Sequence, residues 1–227
     1  MRKMITVKIN GEERQYPQGA TYEDVANDYQ QEYENLIALA ARDGKIRELF
    51  KKLTRDCEVT FFTLKDDVGN KTYVRSATML FLKAVFDVYG REAAQSCRVE
   101  FAIGNGSYIS PKEKINATEE NAAKIRNRMR ELVEAKTPFL KRSYSLDNAM
   151  ELFRKEGMKD KEKLFRYRRG SFVNIYEMDG YYDYYYGYML PNAGYVKWFD
   201  VIAYEDGFMP VSYTHLRAHE TRGISYA

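Results

Sequence analysis

The chain has 227 residues, of which 44% are apolar and 30% charged, with a formal net charge of +3. That length suits two small domains or one large one, the apolar share can fill a core and argues against disorder, and so small a net charge does not by itself mark a nucleic-acid surface. Two cysteines, Cys57 and Cys97, lie far apart with no CxxC or Cys/His cluster, which excludes a disulfide framework and a zinc ribbon.

The N-terminal segment enters an alternating pattern directly: Ile5, Val7 and Ile9 against polar partners predict a half-buried strand over Met4 to Asn10. Asn10-Gly11 is a hairpin turn, because both residue types tolerate positive φ, and Glu13 to Tyr16 returns as its partner strand. Thr21 is placed to cap a helix from Tyr22 to about Tyr33, with Glu23 and Asp24 in its first turn. An apolar run Leu36 to Ala41, an Asp43-Gly44 turn, a short segment Ile46 to Phe50 and a strand Glu58 to Leu64 complete a β-grasp pattern over residues 1–65. Asp66 to Asn70 reads as a turn-rich joint.

Beyond the joint, Ala77, Leu80, Phe81, Ala84, Val85 and Val88 form one helical stripe, which Gly90 closes. Val99 to Ile103 is a strand running into a Gly104-Asn105-Gly106-Ser107 turn. Thr118 caps a long helix with Ala122, Ile125, Met129, Leu132 and Val133 on one face; its Arg126, Arg128 and Arg130, mixed with glutamates, read as a solvated face. Ser145 caps another helix with Ala149, Leu152 and Phe153, ended by Gly157. The rest is β-rich: Phe172 to Met178, the tyrosine-dense Tyr181 to Tyr188, and Tyr195 to Tyr204. The fold class expected is α+β.

Two constellations stand apart from the core pattern. Phe165-Arg166-Tyr167-Arg168-Arg169, with Lys141 and Arg142, mixes cations with aromatics; it is either an RNA or nucleotide contact or a solvated loop anchored by its rings. Tyr181 to Tyr188 is either packing or a stacking platform. All apolar runs fall far short of the ~20 residues a membrane-spanning helix needs, and the expected location is cytoplasmic.

Five stretches bring a resemblance into view. Val7 to Gly11 with Tyr16 to Thr21 resembles a TGS domain. Val74 to Leu80, Ile103 to Tyr108 and Asp183 to Asn192 resemble the editing domain of threonyl-tRNA synthetases, over residues 70–210. That family hydrolyses mischarged esters with an HxxxH pair and a Cys-x-x-x-His pair. By position these become Arg75, Met79, Tyr185 and Met189 here. Methionine has no proton to exchange, arginine stays protonated, and tyrosine titrates near 10, so the resemblance implies a degenerate editing domain without catalysis. A pocket plugged by tyrosine and methionine retains the capacity to bind a small regulatory ligand.

The pairing of TGS and histidine-free editing-like domains also resembles the front part of bacterial uridine-kinase-like nucleoside kinases, on Asp160 to Arg169, Val173 to Tyr176, Tyr186 to Met189 and Tyr204 to Phe208. That resemblance implies a parent enzyme whose ATP and Mg would be held by a C-terminal kinase domain in cis. No GxxxxGK[ST] loop occurs in this chain, so no cofactor is expected on it and no phosphotransfer by it. Residues 211–221 read as a translated sequencing adapter. The expectation is therefore that 211–227, with His215 and His219, is a non-native tail and the kinase half is missing. The alternatives are a fragment of a threonyl-tRNA synthetase or of a related editing or RNA-binding protein.

Overall fold

The structure, a computed structural model, describes residues 3–103, 106–112, 114–166 and 170–212. It is α+β, as the pattern predicts, and divides into two compact units, one running up to Val74 and the other Arg75–Val211. Among the described residues no helix is long and apolar enough to cross a membrane.

In the first unit, β1 (Met4–Ile9) and β2 (Glu12–Pro17) pair antiparallel from Met4↔Pro17 to Ile9↔Glu12. The turn between them holds Asn10 at φ 52° and Gly11 at φ 89°, the left-handed pair that a two-residue hairpin requires. Thr21 caps α1 (Tyr22–Tyr29): the Asp24 N–H donates to Thr21 Oγ1 at 3.1 Å while the Thr21 N–H donates to Asp24 Oδ2 at 2.7 Å. The strands β3 (Ile37–Arg42) and β4 (Lys45–Glu48) flank a second left-handed turn at Asp43-Gly44. Then β5 (Cys57–Thr63) runs between β1 and β3, parallel to the former and antiparallel to the latter, giving the order β2-β1-β5-β3-β4. Ile5, Val7 and Ile9 are buried with Val25 and Tyr29 of α1.

The predicted joint at Asp66 to Asn70 is corrected. The helix α2 (Asp67–Tyr89) begins there, and the Asn70 N–H already donates to Asp66 O at 2.8 Å. Asp and Gly clusters signal a turn, but Gly69 serves a close approach instead: a Cβ there would lie 2.0 Å from Thr63 O.

The second unit continues α2, whose Ala77, Leu80, Phe81, Ala84 and Val85 are buried as predicted, whereas Val88 is exposed. A short α3 (Arg91–Ser96), absent from the sequence reading, leads to β6 (Arg98–Ile103) and β7 (Gly106–Ser110). Gly104 and Asn105, read as a turn, lie outside the described residues. Thr118 caps α4 (Glu119–Glu134), and β8 (Leu140–Ser145) runs into α5 (Leu146–Lys155), capped by Ser145. Next comes α6 (Lys159–Arg166), then β9 (Phe172–Met178), β10 (Tyr181–Asp183), β11 (Phe199–Tyr204) and β12 (Gly207–Ser212). They form two sheets, β10-β9-β8 and β11-β12-β7-β6.

Four further expectations change. The stretch ending in Phe165 and Arg166 is helical rather than a loop: Phe165 is buried and stacks on Phe153 at 5.3 Å, beside Ala149, Val173 and Ile175. Only Tyr181–Asp183 of the tyrosine run is a strand. Arg126 and Arg128 are not simply solvated, because they pair with Asp200 and Asp87 at 2.8 Å each; the Asp200 hydrogen bond raises the Arg126 guanidinium pKa, and hydrogen bonds to Glu131 and Asp87 raise that of Arg128. Finally, β12 carries through the expected native end at Pro210 to take in Val211 and Ser212; His215, His219 and the rest of 213–227 lie outside the described residues.

Candidate functional site

On α2, Arg75 and Met79 lie one turn apart, with Ser76 beside them. The segment following β10 folds against this helix. Arg75 Nη1 donates to Tyr188 O at 2.5 Å, and the Leu190 N–H donates to Ser76 Oγ at 3.0 Å; Ser76 Oγ stands 3.9 Å from Met189 Sδ. Further on, the Phe139 N–H donates to Pro191 O at 3.1 Å and the Ala193 N–H to Thr137 O at 2.8 Å. The four positions named by resemblance are thus carried by two elements that these bonds clamp together.

What fills the place is side chain. Met79, Met189 and Ser76 are fully buried. Gly187 adopts φ +134°, and the Arg75 guanidinium lies so close that a Cβ there would sit 2.6 Å from Cζ; Tyr176 Oη donates to Gly187 O at 3.0 Å. Gly187→Ala should therefore unseat Arg75 and lower stability by about 1–3 kcal/mol, read from the urea midpoint. The Tyr185 ring meets Tyr176 at 6.4 Å and 67°, and its hydroxyl is buried with no hydrogen-bond partner. Burial, reinforced by the Tyr181 phenol and opposed by Arg75, pushes the Tyr185 phenol well above its ordinary value.

Behind this run sits Asp183, buried and held by Tyr181 Oη at 3.2 Å, the Tyr184 N–H at 2.5 Å and the ammonium of Lys161 from α6. Burial pulls Lys161 down to about 8, with Asp160 opposing. Among the described residues no three His, Cys, Asp or Glu side chains converge as a metal centre would.

Among the described residues, the cationic candidates Lys141, Arg142 and Arg166 have separate partners. Alternation along β8 sends Lys141 and Arg142 to opposite faces. Lys141 Nζ lies 5.3 Å over the Tyr176 ring, whereas Arg142 Nε meets Glu177 Oε2 at 3.0 Å. Arg166 is bound to Glu162 at 3.1 Å, which Arg154 shares at 2.9 Å. Arg168 and Arg169 lie outside the described residues. Sequence reasoning missed Ser76, Tyr176, Gly187 and the Lys161–Asp183 pair. A lone glycine and a lone carboxylate inside an aromatic run were the signals available for two of them.

No protein-family model matches the chain. Among curated proteins its similarity is to threonine–tRNA ligases. The ligase of Thermotoga maritima is 29% identical over 205 residues, which cover 88% of this chain and 30% of that protein. That of Porphyromonas gingivalis is 25% identical over 194 residues, 83% of this chain and 29% of its own. That of Symbiobacterium thermophilum is 23% identical over 228 residues, 100% and 35%. The chain thus spans about a third of the length of the ligases it matches, and the similarity takes in both compact units.

Proposed function

We propose that these two domains are a non-catalytic recognition region related to the front of threonine–tRNA ligases, with an RNA acceptor end or a small regulatory ligand as its partner. The observation that carries the reading is the seat of Arg75 on Gly187, beside buried Met79 and Met189, where ester hydrolysis would need an open pocket and a base. Guanidinium, thioether and an unpartnered phenol supply neither a water-activating base nor a proton shuttle near neutral pH. The test is release of serine from seryl-tRNA for threonine. The expected rate equals that of buffer, and release abolished by Tyr185→Phe would overturn the reading.

A second reading sets the same domains before an ATP-dependent nucleoside kinase. It is favoured by the loss of all four hydrolytic positions, which a ligase clearing its own errors would keep, and by the kinase-like segments such as Asp160 to Arg169. An independent read of the coding frame beyond Pro210 decides it: GxxxxGK[ST] supports a kinase, and a ligase catalytic domain removes it.

A further inference from the structure

The second unit has a surface that the Tyr185 region does not involve. Along β7, alternation sends neighbouring side chains to opposite faces of the β11-β12-β7-β6 sheet. Ile109 is buried and registers with Phe208, whose ring meets Phe81 of α2 at 6.1 Å. Tyr108 stands on the other face. Phe101 stacks on it at 5.1 Å and 26°, and Tyr204 meets it edge-on at 6.1 Å and 79°. Phe101 is 53% exposed and Tyr204 40%, while Tyr108, which joins them, is buried. A contiguous exposed aromatic cluster of this kind marks a contact surface more often than single exposed rings do.

Its rim is acidic. Tyr108 Oη donates to the Asp206 carboxylate, and Glu205 and Glu100 add to the field that pushes this phenol up to about 12. All three carboxylates are exposed, and none is ion-paired among the described residues. Glu205 and Asp206 also overlook a cleft of about 620 Å³ lined by Ser110, Lys112, Ile115 and Thr118, with Lys112 as the cation of that lining.

We propose that this face docks a basic segment of a protein partner, whose arginine or lysine side chains lie over Phe101 and Tyr204 and end at Glu100, Glu205 and Asp206. Guanidinium and ammonium groups gain from both the ring faces and the carboxylates, and the long side-chain stems cover the apolar edges of Phe101 and Tyr204. Unpaired carboxylates repel phosphate, which sets nucleic acid aside. The edge strand β6 carries a register shift between Val99 and Phe101, a device that blunts strand-on-strand pairing, so recognition runs through side chains.

The test is fluorescence anisotropy of the full chain with a short fluorescein-labelled peptide alternating arginine and leucine. Binding is expected, weakening as salt rises. Phe101→Ser with Tyr204→Ser leaves the charge unchanged and should lower affinity about tenfold or more. Glu100→Gln with Glu205→Gln should lower it similarly and flatten the salt dependence, whereas Glu12→Gln with Glu32→Gln in the other unit should leave it intact. Equal losses from the remote pair, or full affinity in the serine variant, would overturn the proposal. So would displacement of the peptide by a single-stranded RNA. If the serine variant does not fold, the glutamine pair, which keeps both rings, decides the matter.

Discussion

Replacing Asp87 with alanine is expected to destabilise the protein by about 3–5 kcal/mol, whereas Lys83→Met should cost far less. Lys83 is only 2% exposed, and its ammonium is held by Asp87 Oδ1 at 2.7 Å, Asp179 O at 2.7 Å and Asp179 Oδ2 at 3.3 Å. Without Asp87 a buried cation keeps one carbonyl and a carboxylate that is itself 68% exposed. The Arg128 partner of that aspartate is left with Glu131 alone, at 2.7 Å. Without Lys83, Asp87 still has Arg128 at 2.8 Å, and methionine fills much of the vacated volume. The double variant should therefore recover most of the loss, and a urea-unfolding cycle over the four proteins measures the coupling. The pair matters to the candidate site because Asp179 and Gly180, both at positive φ, make the turn that launches Tyr181–Asp183. Tyrosine fluorescence should report its loosening before global unfolding.

The elements legible in the sequence are those whose signal is local. Thr21, Thr118 and Ser145 each cap a helix that starts at the next residue, and Asn10-Gly11 and Asp43-Gly44 adopt the left-handed geometry their composition implies. What escaped depends on partners distant in the chain. In β8, Lys141, Arg142 and Ser143 look like a loop until β9 pairs beside them. In α6, eight residues of mostly charged sequence hide a helix whose buried Phe165 stacks on Phe153. The start of α2 was read as a joint because Gly69 answers to a carbonyl six residues back, a contact that composition cannot express. At the candidate site, the identities of Arg75, Met79, Tyr185 and Met189 already carried the proposal that the pocket does not hydrolyse esters. The means by which the chain accommodates them, a glycine vacated for a guanidinium and a serine bonded to Leu190, emerged only from the packing.

Raising the pH above 10 is expected to unfold the protein steeply. Tyr181 and Tyr185 are both pushed upward, chiefly by burial, and Tyr16 is raised by burial and its hydrogen bond to Asp28. Above pH 10 the unfolded chain loses these phenolic protons while the folded chain keeps them. The folded state then binds more protons, and stability falls as pH rises. It is fully present below the unfolded tyrosine value and declines by about 1.4 kcal/mol per pH unit for each such phenol, so Tyr181 and Tyr185 alone supply a slope of about 3 kcal/mol per unit. Absorbance at 295 nm, followed with far-ultraviolet circular dichroism, should show a fraction of the tyrosines ionising late and together with loss of helix. Complete titration near 10 with the helices intact would contradict it. Tyr185→Phe sharpens the result, since it removes a buried hydroxyl that has no partner along with one ionising group. That variant should be at least as stable at neutral pH and should unfold at higher alkaline pH, the behaviour of a packed interior rather than of a working hydrolytic pocket.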